Sequence, residues 1–345
     1  MGQTVDILNL SNCELDAWLQ ARGHPSYRRK QVLSWVFQQL VTDFNEMTNL
    51  PQNLREELQG SFHVEGSRVL AVSESSDGST AKLLIALQDG QKIETVRMLY
   101  KFGYSVCVSS QVGCKVGCPF CASGAGGFVR NLSAGEMLAQ VLCANRSLAG
   151  SGRVSSLVVM GMGEPLDNFD NLVRFLDLAH DRERLGLSYR HMTVSTAGLV
   201  PRILDLAALR LPITLAISLH AATDSLRDRL VPLNRAYPLA ALIEAADAYV
   251  STTGRRITFE YALIQDVNDS LECARQLARL VRGMKCHVNL IPLNPVEGVS
   301  MSRSVRRDEF AAVLAEERIE VTVRRELGLD IDAACGQLRR RLAEP

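Results

Sequence analysis

The sequence lacks any long apolar segment. No window approaches roughly 18 consecutive apolar residues, the length that a membrane-spanning helix requires, so no such helix is expected. The N-terminal segment MGQTVDILNLSNCELD has no basic region followed by an apolar core, which argues against a secretory signal. The 9 cysteines are odd in number and irregularly spaced, which argues against a secreted disulfide framework. Together these absences predict a cytoplasmic protein.

The sequence also lacks a net charge, with 38 basic and 38 acidic residues. Domains that bind nucleic acid are commonly basic, so any RNA contact would have to come from local groups of basic residues. Such groups occur at 27–30, 303–307 and 339–341, and a group of this kind is more often a solvated face than a binding site. The length of 345 residues, with 47% hydrophobic residues, suffices for one large core and a small appended domain.

The N-terminal part of the chain is predicted to be helical. Ser11 and Glu14 form a capping-box pattern ahead of an apolar segment, and further helical segments follow up to about residue 59. The hydrophobic period then changes to that of strands, and two Asp-Gly dipeptides separate three strand-like runs. We therefore predict a helical module over 1–62 and an antiparallel β extension over 63–103.

Glu94 lies on the last predicted strand of this extension. Strand alternation places its carboxylate on the same face as Val96 and Met98. A carboxylate on an otherwise apolar face is costly unless it has a partner or a catalytic task. The alternative is a position at the rim of the sheet, with the acid reaching water, and the residues alone do not decide between the two.

Strands and helices alternate from Ser105 onward, which predicts an α/β fold. Six or seven such units would make an incomplete (β/α) barrel, which we assign to residues 104–345. In barrels of this kind, functional residues gather at the C-terminal ends of the strands. Polar motifs follow the predicted strands at Cys114–Cys121, Gly163-Glu164, Ser195, Ser218–His220 and Asn294.

Cys114, Cys118 and Cys121 form a C-x3-C-x2-C motif on a predicted loop. Thiolate ligands favour zinc or an iron–sulfur cluster. A structural zinc site normally takes four protein ligands, whereas a [4Fe–4S] cluster held by three cysteines leaves one iron free to bind a small molecule. Gly113 and Gly117 suit a loop that wraps closely around a bulky inorganic core. From the spacing alone, three packed cysteines or a chance zinc loop remain alternatives.

Two further cysteines, Cys107 and Cys335, stand apart from this loop. Cys107 ends the predicted strand before the motif, and Cys335 lies beyond the last predicted strand in the segment DIDAACGQL. A thiol on a turn of small residues is accessible. Sequence order alone nevertheless favours cysteines that pack like small hydrophobic residues at both positions.

Four motifs, in this order, resemble those of the RlmN/Cfr family of radical-SAM RNA adenosine methyltransferases, where SAM is S-adenosylmethionine. They are CVSSQVGC (107–114), MGMGEPLDN (160–168), HVNLIPLNP (287–295) and DIDAACGQL (330–338), and the resemblance extends from about residue 25 to about residue 340. It implies a radical-SAM partial barrel with one [4Fe–4S] cluster on Cys114, Cys118 and Cys121. It also implies that the open iron chelates the amino and carboxyl groups of SAM.

The resemblance further implies roles for individual residues. The residues expected to bind SAM are Gly163, Glu164, Ser195, Ser218, Leu219, His220 and Asn294. The resemblance implies that Cys335 is methylated and carries the transferred carbon, and that Cys107 resolves the intermediate through a transient disulfide. It implies that either Cys107 or Glu94 accepts the proton from the base, and it leaves that choice open. Two SAM molecules per turnover are expected, one as methyl donor and one as radical source.

The reaction that this resemblance implies is methylation of carbon 2 of an adenosine in 23S rRNA, and of an adenosine beside the anticodon of certain tRNAs. A flavodoxin or ferredoxin is expected as electron donor, and the protein is expected to be a monomer. The first alternative is the Cfr-type reaction at carbon 8, although Pro165 after Glu164 is more typical of RlmN. A radical-SAM enzyme for a small molecule or protein, and a non-catalytic zinc-dependent RNA-binding protein, are further alternatives.

Overall fold

The computed structural model describes residues 4–64, 66–294, 299–324 and 331. Cys335 and the basic group at 339–341 therefore lie outside the described residues. In the described ranges, no helix is both long enough and apolar enough to cross a membrane.

Three α-helices form the N-terminal module: α1 (Asn12–Gln20), α2 (Tyr27–Phe37) and α3 (Gln52–Ser61). The predicted capping box begins α1, because Ser11 Oγ accepts a hydrogen bond from Glu14 N and the Glu14 carboxylate accepts one from Ser11 N. Two short parallel strands, β1 (Val5–Asp6) and β2 (Phe62–His63), bring the ends of the module together. The helical prediction is confirmed.

An antiparallel meander follows, made of β3 (Arg68–Glu74), β4 (Thr80–Ala86) and β5 (Lys92–Tyr100). Its two hairpins turn at the predicted Asp-Gly dipeptides, where both glycines have positive φ. Strand β5 also pairs with β6 (Gly103–Cys107) in antiparallel fashion, so the meander continues into the main sheet. The sheet is thus continuous across residue 103, and the division at 62 and 103 stays a prediction.

The remainder of the chain alternates strands and helices, as predicted. A small hairpin of β7 (Gln111–Gly113) and β8 (Phe128–Asn131) carries the short helix α4 (Ala122–Ala125). The seven parallel strands are β6, β9 (Val154–Val159), β10 (Met192–Thr196), β11 (Thr214–Ser218), β12 (Ile257–Leu263), β13 (Cys286–Pro292) and β14 (Val321–Val323). The helices are α5 (Ala134–Ser147), α6 (Phe169–His180), α7 (Val200–Ala208), α8 (Asp224–Leu230), α9 (Leu239–Thr253), α10 (Leu271–Val281) and α11 (Arg307–Glu316). Short 3-10 helices lie at Ile7–Asn9, Phe44–Glu46, Pro165–Asn168, Tyr189–His191 and Pro232–Arg235.

All the strands from β3 to β6 and from β9 to β14 belong to one ten-stranded sheet with β3 and β14 at its edges. In the described part of the chain these edge strands do not pair with each other, so the barrel is incomplete, which confirms the predicted α/β fold class. Apolar side chains cover one face and pack with the helices; they include Leu157, Val194, Leu215, Phe259 and Leu290. We call this the outer face.

The opposite, inner face is defined by the register of the strands. Cys107 is paired with Val158, and Val158 with Thr193, which places these side chains on the same side of the sheet. On the later strands, the register aligns Ser218 with Glu260 in the same way. The inner face therefore carries the reactive and polar side chains of the sheet.

Two arginines, the buried Arg184 and the half-buried Arg29, attach the N-terminal module to the barrel. The Arg184 side chain is fully buried and donates to Leu10 O at 2.5 Å and to Asn12 Oδ1 at 3.3 Å. Arg29 donates to Asp16 within the module and to Glu183 outside it. Arg29 is one of the basic residues in the group at 27–30. This member of the group is therefore already paired with acidic residues of the protein.

We predict that Arg184→Ala lowers the free energy of unfolding by about 3 kcal/mol, because it removes a buried side chain and leaves half-buried acceptors of the N-terminal module without their donor. Urea unfolding followed by circular dichroism measures the change. The control is Arg182→Ala, since Arg182 lies two residues away and is exposed. Equal stabilities for the two variants, within about 0.5 kcal/mol, would show that Arg184 does not hold the module in place.

Candidate active site

The loop with the three cysteines is closed at its base by backbone contacts. Cys114 N donates to Gly127 O at 3.3 Å, so the two ends of the loop meet where β7 pairs with β8. Gly113 has a φ of +79°, and a Cβ at this position would lie only 1.7 Å from Gly127 O. A side chain there would separate the two strands. Glycine at 113 is therefore required for the loop to close.

The three predicted ligand thiols are half-buried within this loop. Burial raises the pKa of Cys114 to about 11, and burial together with the neighbouring thiols raises the pKa of Cys118 well above its ordinary value. Cys121 contributes to both shifts, so the three sulfurs share one region. These thiols become good ligands only when a positive metal centre displaces their protons.

The loop fits an iron–sulfur cluster by its donor set. It offers three thiols, and the hydroxyl of Ser123, two residues after Cys121, is buried and has no hydrogen-bond partner among the described residues. Cluster sulfur atoms accept hydrogen bonds of this kind. Within the described residues, no group of three His, Cys, Asp or Glu side chains has the arrangement expected for a single metal ion.

The predicted Gly-Glu turn follows β9 and is fixed by neighbouring loops. Glu164 N donates to Gln111 Oε1 at 2.9 Å, and a Cβ on Gly163 would lie 2.6 Å from Gln111 Cβ. The Glu164 carboxylate accepts hydrogen bonds from Leu166 N at 3.1 Å and Ala197 N at 2.6 Å. Burial raises its pKa to about 7. The turn is thus held in shape by the protein itself.

The next two strands end in the predicted serine and histidine positions. Ser195 Oγ and Ser218 Oγ are 3.4 Å apart, so the structure brings these two hydroxyls together. Leu219 is fully buried beside them. His220 has a φ of +57°, and its Nδ1 accepts a hydrogen bond from Ala262 N at 3.0 Å. Burial lowers the pKa of His220 to about 3, so the ring is neutral with its proton on Nε2.

Phe120 is an aromatic residue that the sequence reasoning missed. It lies between the second and third ligand cysteines, and its ring meets the His220 ring edge-on with centroids 5.1 Å apart. This contact joins the cysteine loop to the end of β11. Its position inside the cysteine motif was the available signal.

Arg227 on α8 was also missed, although it connects the ends of two strands. Its guanidinium is fully buried and donates to Ala197 O at 2.6 Å, Ser218 O at 3.1 Å and Leu219 O at 3.1 Å. Burial lowers its pKa to about 10. In the sequence, the charged run around it is indistinguishable from a solvated helix face, so no local signal marked it.

Glu94 and Cys107 lie on the inner face of adjacent strands. Val96 is paired directly with Cys107, and Glu94 is two residues before Val96 on the same face. Both Glu94 and Cys107 are buried, which makes the solvated-rim interpretation of Glu94 wrong. Lys82 is paired with Val96 from the other side and is also buried on this face, a cation that the sequence reasoning missed.

Two predicted residues are not joined to these groups by any described contact, one of them because it lies outside the described residues. Asn294 lies two residues beyond β13 and is exposed, and within the described ranges no hydrogen bond joins it to the serines or His220. Cys335 lies outside the described residues. Its role, and the role of Asn294, stay predictions.

Comparison with known proteins gives a consistent result along the chain. Residues 5–64 match the ribosomal RNA large subunit methyltransferase N-terminal domain, and residues 108–278 match the radical SAM superfamily. The chain is 50% identical over 339 residues to the "Probable dual-specificity RNA methyltransferase RlmN" of Desulforamulus reducens, covering 98% of this chain and 96% of that protein. A protein of the same name from Geobacillus kaustophilus is 50% identical, with 96% and 92% coverage. The crystal structure of a radical SAM methyltransferase from Sphaerobacter thermophilus has a TM-score of 0.93 and 47% identity, with 96% and 98% coverage.

We predict that Arg227→Gln weakens SAM binding about tenfold or more, because the ends of β10 and β11 lose the donor that holds them together. Isothermal titration calorimetry on anaerobic, cluster-loaded protein measures the dissociation constant. The control is Arg229→Gln, two residues away on the same helix and exposed. If both variants bind SAM as tightly as the wild type, Arg227 does not shape the pocket.

Proposed function

Because the chain belongs to the RlmN family of radical-SAM RNA methyltransferases, we propose that it methylates carbon 2 of an adenosine in 23S rRNA and an adenosine beside the anticodon of certain tRNAs. The family membership makes the protein an enzyme that transfers a methyl group to RNA. The observation that carries the finer proposal is the placement of Glu94 and Cys107 together on the buried inner face, where Cys107 ends β6, the strand that precedes the hairpin with the three-cysteine loop. The relatives are named dual-specificity RNA methyltransferases, which supports the proposal of two RNA substrates.

In this proposal, Cys114, Cys118 and Cys121 hold one [4Fe–4S] cluster. The SAM pocket is formed by Gly163, Glu164, Ser195, Ser218, Leu219, His220 and Asn294. When bound, the cluster and two SAM molecules supply a methyl group and a reactive carbon radical. A radical is needed because the ring hydrogens of adenine are too weakly acidic for ordinary methyl transfer. The chain's own residues position these groups, keep water out and move the proton.

Cys335 carries the methyl group in this mechanism. The methyl carbon would lose one hydrogen atom to the radical that SAM supplies and bond to the ring carbon, and one electron would then leave this adduct, so that a methylene group links Cys335 to the base. A proton then leaves the ring carbon, and either Glu94 or Cys107 accepts it. Cys107, as a thiolate, attacks the sulfur of Cys335 and forms a disulfide with it. The sulfur–carbon bond breaks, its electron pair stays with the methylene carbon, and that carbon takes up a proton to become the methyl group. The apolar neighbours of Cys107, Val96 and Met98, exclude water from this region, which favours these steps over hydrolysis or proton leakage.

The Cfr-type reaction at carbon 8 of the rRNA adenosine is the second candidate. Pro165 after Glu164 favours the RlmN-type reaction, and in the structure it begins the 3-10 helix that follows the turn. The relatives, similar over nearly the full length, are RNA methyltransferases, which sets aside the non-catalytic zinc protein and the small-molecule or protein substrate. We further propose a monomer in the cytoplasm, reduced by a flavodoxin or ferredoxin.

We predict that the reconstituted enzyme, given SAM, a reductant and a 23S rRNA fragment without oxygen, forms 2-methyladenosine. Nucleoside mass spectrometry with standards for both methyladenosines identifies the product. A product at 8-methyladenosine would replace the carbon-2 assignment with the Cfr-type reaction. Absence of product from both rRNA and tRNA, despite SAM cleavage, would contradict the substrate assignment.

We predict that Cys335→Ala reduces methyl transfer to background while iron and sulfide stay at about four each per chain, since the thiol that carries the methyl group is lost but the cluster ligands remain. Cys118→Ala should lose iron and activity together. The control is Cys13→Ala, because Cys13 is exposed on α1. Methyl transfer by Cys335→Ala at the wild-type rate would exclude the covalent route, and zinc in place of iron would exclude the cluster.

A further inference from the structure

A row of polar side chains crosses the inner face of the five strands from β10 to β14. Strand register aligns Ser218 with Glu260, Glu260 with Asn289, and Asn289 with Thr322. Ser195 joins the row through its contact with Ser218 at 3.4 Å. The two serines are in the proposed SAM pocket, whereas the other three residues have no assigned role.

On the side of β13 and β14, the hydrogen bonds in this row point toward Glu260. Thr322 Oγ1 donates to Asn289 Oδ1 at 3.2 Å, which fixes the orientation of the amide. Asn289 Nδ2 then donates to Glu260 Oε2 at 2.8 Å. His287 Nε2 lies 2.9 Å from Thr322 Oγ1, and the hydroxyl, already donating to Asn289, accepts from it. The carboxylate is therefore the final acceptor of a directed series.

Glu260 is buried, with 5% of its surface exposed. Within the described residues, its carboxylate receives a hydrogen bond only from Asn289 and makes no salt bridge. Arg324 opposes the rise in the pKa of Glu260 that burial causes, but it does so without direct contact. A buried carboxylate with a single donor is costly in a role that is only structural, because such oxygens normally find more partners.

We propose that Glu260 binds the 2′- and 3′-hydroxyl groups of the SAM ribose, with Asn289 and Thr322 positioning its carboxylate. A carboxylate is a strong acceptor for hydroxyl groups, and in dinucleotide-binding α/β folds an acidic residue recognises a ribose in this way. Glu260 lies one strand from Ser218, so one ligand can contact both. This inference rests on the chain being a radical-SAM enzyme but not on the position that it methylates.

The test compares SAM with its 2′,3′-dideoxy analogue in Glu260→Gln and in the wild type. Isothermal titration calorimetry is carried out on cluster-loaded protein without reductant, so that no turnover occurs. The wild type should bind the dideoxy analogue at least about tenfold more weakly than SAM. In Glu260→Gln, SAM should bind about tenfold more weakly, and the ratio between the two ligands should fall toward one.

The matched control is Glu244→Gln, because Glu244 is exposed on α9. It should keep the wild-type ratio. A Glu260→Gln protein with full iron content and an unchanged ratio would overturn the proposal. If that variant does not fold, Thr322→Val gives the same test on an exposed position of an edge strand. Without the Thr322 hydroxyl, Asn289 loses the hydrogen bond that orients it toward Glu260. The ratio of the dissociation constants of the dideoxy analogue and SAM should therefore fall about threefold, and an unchanged ratio would equally overturn the proposal.

These outcomes are separate from the test of the RNA product. An enzyme that makes 8-methyladenosine, or that acts on another RNA, can still show the Glu260-dependent preference for the ribose hydroxyls. A wild-type protein that does not bind SAM at all would contradict both the proposed function and this inference. An enzyme that makes 2-methyladenosine with an unaffected Glu260→Gln ratio would contradict only the inference.

Discussion

In the described part of the chain, the helices pack against one face of the ten-stranded sheet, and the rest of the structure depends on this constraint. The covered outer face is filled by aliphatic and aromatic side chains that pack with the helices. The inner face can carry polar groups, but it is shielded enough that Glu94, Cys107 and Glu260 are all buried there. Each polar group must then find a partner in the chain or in a ligand. Chain topology, more than any local sequence, concentrates the chemistry on this face.

The second constraint is that the loops at the strand ends must keep their shape before a ligand arrives. Gln111 follows β6 and accepts from Glu164, which follows β9; the Glu164 carboxylate accepts from Ala197, which follows β10. Arg227 completes the series by donating to Ala197 O and to Leu219 O after β11. One series of hydrogen bonds thus links four neighbouring strand ends. Because the protein supplies these bonds itself, a ligand does not have to order the loops when it binds.

Local signals in the sequence predicted local structure well, and they failed where partners are distant. The capping box at Ser11 and the Asp-Gly hairpins formed as expected, because each depends on residues within a few positions. The alternation of side chains along β5 correctly placed Glu94 on the same face as Val96. Alternation could not tell a buried carboxylate from one at the rim of the sheet, and the structure shows that Glu94 is buried. The hydrogen bonds around Glu260 join three strands, and they form because the register of the sheet aligns Glu260, Asn289 and Thr322. No spacing within one strand reveals which residues its neighbours align.

Distant partners also explain why a net charge of zero does not argue against an RNA substrate. A sum over the sequence counts every arginine equally, but several of them lie inside the protein. Arg184 and Arg227 are fully buried, and Arg29 is paired with Asp16 and with Glu183, 154 residues away. These cations satisfy internal acceptors and contribute little to the field outside the molecule. The charge that an RNA would meet is that of the exposed side chains at its binding surface, and the total charge of the chain does not fix that local charge.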